Sequence, residues 1–398
     1  MASQRRIALL MERLVGFNHE VLRGIRDYVG SSKPWVCHFI DPRPELVPIV
    51  SQWEPDGVIA FLGSAEIASS VAALDAPVVD VANWIKAEGV AQVGLDDFAI
   101  GRCGGEYLAS LGFESFAFLG NAGLEFARQR RRGFETALSE MGFKSAHYSA
   151  DPLRFPTVRG WTMGGVDGQL SSWLQALPKP VAIFADNDER ALLVSEACAA
   201  SDLSVPEDVA ILGVDDDPYL CELGYPSISS IATPARRLGF VAARRLNEMM
   251  QGVPQLSPTQ LLPPTGVVSR RSTDFYAYGD PIVASAMRMI RDEACRGLTV
   301  QDLADKLPVS RRTLERLFFL HVGRPPGDEI HRFRLEAARR LLGTTDLPLE
   351  AIAGEVGLRS TGWLSQSFES RFGMRPREYR RFTSEDLLKN AIVTEHSD

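Results

Sequence analysis

The sequence is poor in cysteine, with only five cysteines among 398 residues. They are dispersed, so that none forms a C-x-x-C pair and none has a histidine at the spacing of a zinc ligand. We therefore expect plain thiols in a reducing compartment, without a disulfide framework. The same spacing predicts neither a metal site nor a cofactor.

Long hydrophobic runs are also lacking. The apolar run near the N-terminus, Ile7 to Met11, is interrupted by Glu12 and Arg13 after five residues. It is too short for the apolar region of a signal peptide or for a membrane span. We expect a cytoplasmic protein with no membrane partner.

Positive charge is scarce overall but concentrated near the C-terminus. The formal net charge is −8, yet residues 282–382 hold 18 Lys and Arg against 13 Asp and Glu, about +5. The rest of the chain is therefore strongly acidic. An acidic body with a basic C-terminal module indicates that only the module meets a polyanion.

The first two-thirds alternates short apolar segments with amphipathic segments of helical period. The segment Arg6 to Met11 predicts a strand, and residues 18–28 predict a helix. Apolar strands that alternate with helices favour a doubly wound α/β fold with parallel sheets. We expect two such lobes within residues 1–274, roughly 5–110 plus 233–260 and 111–232, with a ligand cleft between them.

Past Pro281 no strand pattern returns, and the chain predicts short helices. Thr299 can cap a first helix with Asp302 at its third position, and Ser310 can cap a second helix from Arg311 to Phe318. Apolar side chains of this second helix face inward, whereas its arginines face outward. Two helices joined by a tight turn, with a basic outer face, are typical of a helix-turn-helix.

The pattern recurs some fifty residues later. Residues 348–358 predict another short helix with a glycine turn, and 361–368 predict another outward-facing second helix. A long amphipathic helix, residues 330–342, separates the units, so that the two second helices can enter successive major-groove segments. A single helix with outward arginines is often only a solvated face, but the duplication argues against that interpretation.

Two stretches, R-L-E-A-A-R-R-L-L-G and F-E-S-R-F-G-M-R-P-R-E-Y, resemble the signature of the AraC/XylS family of transcription activators. The resemblance covers residues 282–381 and implies an all-α double helix-turn-helix domain, with a linker at 275–281 and a tail at 384–398. Where the family has Gly-Phe and Tyr-Phe in the second unit, this chain has Gly357-Leu358 and Trp363-Leu364. The implied DNA-binding residues are Ser310, Arg311, Arg312, Thr313, Arg316, Ser360, Thr361, Gly362, Trp363, Ser365 and Gln366.

The body resembles the LacI/GalR and periplasmic sugar-binding family, without the N-terminal DNA-binding headpiece of those repressors. Arg130 resembles the arginine that clamps sugar hydroxyls, Asn187 the cleft asparagine and Asp215 the hydroxyl-binding aspartate. Each has a structural alternative, because Asn187 and Asp215 can cap helices and three further arginines neighbour Arg130. Phe17, Asn18 and Trp84 are weaker candidates, the aromatic rings for stacking on a sugar.

An acid expected near Ala82 and Asn83 is missing, and Asp96 is better interpreted as a helix cap. The order of the two parts, joined through Arg270-Arg271-Ser272-Thr273, resembles that of bacterial pentose-operon activators. This implies a homodimer that binds D-xylose or a related pentose, direct repeats of promoter DNA and RNA polymerase.

An enzyme is the rival class. The acids Asp186, Asp188 and Asp215 to Asp217 leave a sugar-processing enzyme open, but neighbouring acids at a strand end point in different directions. No G-x-S-x-G, P-loop or metal-spaced histidine pattern is present. A sugar-binding module without DNA binding is the other alternative, and the basic tail argues against it.

Overall fold

The computed structural model describes residues 4–12, 16–31, 35–82, 84–85, 87–149, 168–254, 257–274, 280–345, 347–358 and 360–383. Within these ranges the chain forms two six-stranded sheets followed by a set of helices. This confirms the predicted two-lobed α/β body and the all-α C-terminal part. Most of the predicted linker, residues 275–279, and the tail lie outside the described residues.

The first sheet has the strand order β11-β5-β4-β3-β1-β2, with every neighbouring pair parallel. Three of its central strands are buried along nearly their whole length, as expected for a sheet covered by helices on both faces. The strands are β1 (Arg5–Leu10), β2 (Trp35–Ile40), β3 (Gly57–Ala60), β4 (Val78–Asp80), β5 (Ala91–Leu95) and β11 (Thr259–Leu262).

The second sheet has the order β12-β10-β9-β8-β6-β7, in which only the β10–β12 pair is antiparallel. Its central strands carry continuous apolar runs and are fully buried. The strands are β6 (Ser115–Gly120), β7 (Ser145–Ser149), β8 (Val181–Ala185), β9 (Val209–Asp215), β10 (Ser229–Ala232) and β12 (Gly266–Val268).

The helices of the body cover both sheets. They are α1 (Gly16–Ser31), α2 (Val47–Trp53), α3 (Ala65–Ala72), α4 (Asp97–Ser110), α5 (Glu125–Glu140), α6 (Gly168–Ala176), α7 (Asp188–Ala200), α8 (Pro218–Leu223) and α9 (Ala235–Met250). Helix α1 packs along α9 on the first lobe, and α4 packs along α5 on the second lobe. A Cβ atom on Gly101 of α4 would lie 1.9 Å from the carbonyl oxygen of Arg130 on α5, so this contact requires glycine.

The chain crosses between the lobes three times. It crosses at Asp96, where β5 leads into α4, at Thr233 and Pro234, where β10 leads into α9, and at Pro263 to Thr265, where β11 leads into β12. The first crossing comes earlier than the boundary near residue 110 expected from the sequence, because α4 packs on the second lobe. We call these three crossings the hinge, because any rotation of one lobe against the other has to pass through them.

The C-terminal helices repeat one arrangement with an offset of fifty residues. Helices α11 (Val300–Lys306) and α12 (Arg311–Val322) form the first unit, and α14 (Leu349–Glu355) and α15 (Thr361–Phe372) form the second. Helix α10 (Pro281–Glu293) precedes them, α13 (Pro326–Thr344) lies between them and α16 (Pro376–Thr383) follows. None of the helices over the described ranges combines the length and the hydropathy that a membrane crossing needs.

Equivalent positions of the two units have the same burial. Leu314 and Phe318 of α12 are fully buried, as are Leu364 and Phe368 of α15. Both helices end at a glycine with left-handed φ, Gly323 at 75° and Gly373 at 72°, where other residues would be strained. The duplication predicted from the sequence is thus a structural repeat.

Candidate functional site

A cavity of about 250 Å³ lies between the two lobes. This volume falls below the usual range of drug-sized pockets, about 300–1,000 Å³, and suits a monosaccharide. The structure brings all six predicted ligand residues together in its lining: Phe17, Asn18, Trp84, Arg130, Asn187 and Asp215.

Arg130 is held rigidly on α5. Its Nε donates to Asp97 Oδ1 at 2.9 Å, one Nη donates to the carbonyl oxygen of Asp186, and its guanidinium lies over the Phe126 ring. Burial alone would lower the pKa of this guanidinium, but Asp97, Asp215 and Asp186 raise it above its ordinary value. Arg130 is therefore a fixed, charged donor in the cleft.

Two buried acceptors in the cavity lining lack a hydrogen-bond partner within the described part of the chain. They are Oδ1 of Asp215, at the end of β9, and Oδ1 of Asn18, on α1. Asn18 Nδ2 donates to the Glu12 carbonyl oxygen at 2.9 Å, which fixes the orientation of that amide. Because buried polar atoms normally have partners, both oxygens are suited to accept ligand hydroxyl protons.

Asp215 is also shaped by its surroundings. Burial raises its pKa, Arg130 lowers it, and Asp186 and Asp217 raise it again. Its backbone φ of 105° lies in a region that few non-glycine residues occupy. Such strain occurs often at functional sites, because the surrounding fold must hold it in place.

Asn187 caps α7, as one of its two interpretations predicted. Its Oδ1 accepts from the Arg190 backbone N–H at 2.9 Å. The residue also lines the cavity, so the other interpretation, a contact with the ligand, stays a prediction. Asp96 likewise caps α4, by accepting from the Ala99 N–H at 2.9 Å, and this confirms the prediction for Asp96.

Aromatic rings form one wall of the cavity. The Trp84 ring contacts Phe61 at a centroid distance of 4.9 Å and Phe126 at 5.6 Å, and Phe17 lies in the same lining. Trp84 belongs to the first lobe and Phe126 to the second, so the wall spans the cleft. Aromatic faces of this kind stack on the apolar face of a sugar ring.

Sequence reasoning missed several lining residues. Phe61, Phe126, Glu12, Asp97 and Glu189 all border the cavity. Asp97 follows the predicted cap Asp96, and two consecutive acids after a strand were the signal that one of them faces the cleft. An acid was expected near Ala82 and Asn83. Ala82 borders the cavity, and Asn83 lies outside the described residues.

A second cavity, of about 500 Å³, lies on the other side of Phe17 and Asp215. Part of its charged lining is paired within itself, since Arg23 pairs with Glu20 at 2.6 Å and Arg236 with Asp27 at 2.7 Å, but Thr233 Oγ1 is buried in the same lining without a hydrogen-bond partner among the described residues. The smaller cavity contains all six predicted ligand residues, whereas the larger one contains only Phe17 and Asp215 of them, so the smaller cavity is the better ligand site.

The first helix-turn-helix unit presents its predicted residues at the surface, apart from Thr313, which is partly buried. Thr299 and Asp302 form a reciprocal capping box on α11, and Ser310 caps α12 by accepting from the Thr313 N–H at 3.2 Å. The side chains of Ser310, Arg311, Arg312 and Arg316 are exposed. Arg311 pairs with Glu315 at 2.9 Å along the same helix.

The second unit has the same geometry with fewer charges. Ser360 caps α15 by accepting from the Trp363 N–H at 3.2 Å. Trp363 is 45% exposed, and its ring stacks on His331 of α13 at 4.2 Å. Gly362 and Gln366 are exposed, whereas Thr361 and Ser365 are partly buried. Among the described residues, no cluster of His, Cys, Asp and Glu could hold a metal ion.

Comparisons with known proteins find relatives of both the α/β body and the C-terminal helices. A periplasmic binding protein-like domain matches residues 106–273, and a helix-turn-helix domain matches residues 303–381. The xylose operon regulatory protein of Escherichia coli K12 is 29% identical over 97% of this chain and 99% of its own length. The protein of the same name from Haemophilus influenzae is 27% identical over 94% and 98%.

A solved structure described as a xylose-binding transcription activator matches 96% of this chain and 100% of its own. The identity is 29% and the TM-score is 0.60, so the likeness includes both the two-lobed body and the helical C-terminal part. The chain therefore carries a periplasmic binding protein-like domain ahead of a helix-turn-helix domain, and it is similar over nearly its whole length to the xylose operon regulatory proteins.

Proposed function

We propose that the protein is a cytoplasmic activator that binds a pentose, D-xylose or a close relative, in the inter-lobe cleft and promoter DNA through both helix-turn-helix units. The observation that carries this proposal is the pair of buried, unsatisfied acceptors, Asp215 Oδ1 and Asn18 Oδ1, in one cavity with Arg130. A polyhydroxylated ligand supplies donors for the two oxygens and acceptors for the guanidinium.

Relatives support the choice of sugar. Two of them, aligned over more than nine-tenths of their length, are named for the xylose operon, and one solved relative is described as xylose-binding. The cavity volume of about 250 Å³ agrees with a single pentose ring. We expect D-xylose to bind more tightly than a hexose, whose additional CH₂OH group has to fit the same space.

The DNA-binding half follows from the repeat. Helix α13 has 19 residues, a length of about 28 Å at 1.5 Å per residue, and it connects α12 to the second unit. This separation is close to one duplex turn, ~34 Å, so that α12 and α15 can enter successive major grooves on one side. A homodimer bound to direct repeats, in contact with RNA polymerase, is the assembly we propose for activation.

The test is a fluorescence anisotropy titration of the full chain against promoter fragments, with and without D-xylose, L-arabinose, D-ribose and D-glucose. We expect one pentose to strengthen binding to a specific fragment, and the affinity to fall steeply with salt. Calorimetry of each sugar alone separates the two halves of the proposal. Sugar binding without any DNA binding would instead favour a sugar-binding module.

A further inference from the structure

The C-terminal domain packs directly on the hinge of the sugar-binding body. The third crossing between the lobes ends at Thr265, and β12 begins at the next residue, Gly266. Helix α13 contacts β12 there, and the last residues of α13 border the larger cavity together with Thr233 and Thr265 of two crossings. The C-terminal domain thus meets the body at the second and third crossings between the lobes.

Arg339 of α13 makes the closest of these contacts. One of its Nη atoms lies 3.3 Å from the position that a Cβ on Gly266 would occupy, and its guanidinium lies near enough to the Cys103 thiol of α4 for the two groups to shift each other's pKa. Gly266 has a φ of 139°, a conformation that a side chain would strain. Glycine therefore allows both the backbone turn and the approach of Arg339.

The same arginine also holds the second helix-turn-helix unit. Its guanidinium lies over the Phe372 ring of α15 at 5.1 Å and pairs with Glu336 at 2.9 Å. Glu336 in turn pairs with Arg371 of α15 at 3.2 Å. One partly buried side chain thus lies against β12 and against the end of the second recognition helix.

Tyr379 of α16 makes a parallel connection. Its hydroxyl donates to the carbonyl oxygen of Thr265 at 3.4 Å, and Thr265 Oγ1 donates to the Ala232 carbonyl oxygen beside the second crossing. Its ring packs on Phe368 of α15 at 5.4 Å in an edge arrangement. Tyr379 therefore joins the same hinge strand to the same recognition helix.

We propose that the contact of Arg339 and Tyr379 with Thr265 and Gly266, which we call the hinge dock, transmits effector occupancy to the second helix-turn-helix unit. This inference rests on the proposed function, because it specifies how sugar binding reaches the DNA-binding helices. Lobe closure rotates the crossing segments, and packed interfaces respond by switching between discrete arrangements. The dock places α15 on the segment that rotates.

The first unit is attached differently. Arg291 of α10 forms an ion pair with Asp274, just after the turn Arg271–Thr273 at the end of the body. That turn is tied to the interior of the second lobe, where Thr273 Oγ1 hydrogen-bonds Ser229 Oγ at 2.6 Å. The first unit therefore follows the second lobe, whereas the second unit follows the hinge, and closure changes their relative orientation.

The test measures coupling in the full chain. The coupling ratio is the DNA dissociation constant without D-xylose divided by the constant with it, and allosteric systems commonly show about 5 to 150. In Tyr379→Phe and Arg339→Gln we expect this ratio to fall toward 1, while the D-xylose affinity measured without DNA changes less than about twofold. Tyr379→Phe keeps the ring on Phe368 and removes only the hydroxyl.

Arg371→Gln is the matched control. Arg371 shares Glu336 and the Phe372 ring with Arg339, but its described contacts do not include the body. We expect its coupling ratio to remain that of the wild type. A dock that only stabilises the fold would weaken DNA binding equally with and without sugar, and an unchanged ratio in both dock variants overturns the inference.

Cys103 provides a second readout within the native chain. Burial raises the pKa of its thiol to about 11, although the nearby Arg339 charge lowers it, so the thiol reacts slowly with alkylating agents and its reactivity depends on where Arg339 lies. We expect D-xylose to change the alkylation rate of Cys103 severalfold, with no change at Cys198 inside the second lobe. An unchanged Cys103 rate in a protein whose DNA binding responds to sugar contradicts the dock and leaves the proposed function intact. If the wild type binds sugar but its DNA affinity does not respond, both proposals fail.

Discussion

Asp215 combines a carboxylate buried by the fold with a strained backbone, and both features make it testable. Asparagine tolerates positive φ and has nearly the same shape as aspartate. Asp215→Asn therefore removes the charge and leaves the backbone conformation and the side-chain shape nearly unchanged. Loss of a charge-assisted hydrogen bond costs about 1.5–3 kcal/mol, so we expect the D-xylose affinity to fall about 10- to 100-fold. Calorimetry measures the D-xylose dissociation constant of the variant and of the wild type, and Glu20→Gln in the larger cavity is the control. Loss of binding in the control instead would place the sugar in the larger cavity.

The raised pKa of Asp215 gives a pH dependence with a defined sign. Protonation removes an acceptor from the cleft, and burial makes it begin at a higher pH than for an ordinary aspartate. Acidification from neutral pH toward the raised pKa should therefore weaken sugar binding in the wild type. We expect a much flatter profile in Asp215→Asn when calorimetry is repeated across this range. Equal slopes in the two proteins would show that another group controls the pH dependence.

Acidification should raise the stability of the ligand-free protein, although it lowers the affinity for sugar. A carboxyl group whose folded pKa is raised contributes stability below its unfolded pKa and loses it as the pH rises through the folded pKa. Asp188, buried beside Asp215, has its pKa raised well above the usual range by burial and by that neighbour. As the pH falls through this acidic range, protonation of Asp188 and Asp215 makes the ligand-free fold more stable. The affinity for sugar falls over the same range.

Residue types at strand ends were enough to predict much of the cleft. Asn187 follows β8 and Asp215 ends β9, both in the second sheet, and Arg130 lies on α5 of the same lobe. All three border one cavity. Phe61 and Phe126 were missed because apolar residues look the same in sequence whether they line a core or a cleft. Asp97 was missed because its role depends on α4 packing against α5, a contact between helices that periodicity does not show.

At the scale of elements, the repeated helix-turn-helix was the best predicted part. Its caps, its inward leucine and phenylalanine positions and its spacing were all readable, because each depends on neighbouring residues. The interface of α13 and α16 with the body was not predicted. It depends on Arg339 and Tyr379, which in sequence look like an exposed basic residue and an isolated aromatic.

Arg312 on α12 is the clearest candidate for a DNA contact, because Arg311 beside it already pairs with Glu315. In Arg312→Ala we expect the affinity for the target fragment to fall at least fivefold, with the melting temperature unchanged. A slope of log affinity against log salt concentration that is smaller in magnitude by about 0.9 would indicate a phosphate contact. Loss of sequence preference at one base pair would indicate base readout. Arg288→Ala, at an exposed site on α10, is the control, and equal effects of the two changes would contradict the assignment.

Gly362 is exposed at the start of α15, and a Cβ there would meet no atom of the described chain within 4 Å. Nothing within the protein therefore requires glycine, which costs the helix up to about 1 kcal/mol relative to alanine. We expect Gly362→Ala to preserve or raise the melting temperature and to weaken DNA binding severalfold, because the added methyl stands between the helix and the duplex. Gly354→Ala on α14 is the matched control, since it is equally open but lies on the first helix of the unit. Unchanged DNA affinity in Gly362→Ala would mean that the helix does not approach DNA closely at this position.

At the scale of the whole molecule, the charge asymmetry and the hinge act together. The acidic body does not favour contact with DNA, so the basic C-terminal module carries the electrostatic attraction. The body instead determines how that module is oriented, through its attachment to both the second lobe and the hinge. Composition predicted the first of these roles, and the second is the role that we propose for the hinge dock.

If a single two-state change connects the cleft to both DNA-binding units, the coupling must be reciprocal. The factor by which D-xylose raises DNA affinity should equal the factor by which a saturating target fragment raises D-xylose affinity. Anisotropy gives the first factor, and calorimetry of the preformed DNA complex gives the second, at the same salt concentration. A fragment of equal length without the target sequence is the control, because it binds through charge alone and should leave sugar affinity nearly unchanged. Because linkage is a thermodynamic requirement, a failure of equality would show that one titration also measures a change in oligomeric state. Repeating both titrations over a tenfold range of protein concentration would then separate dimer formation from the motion of the lobes.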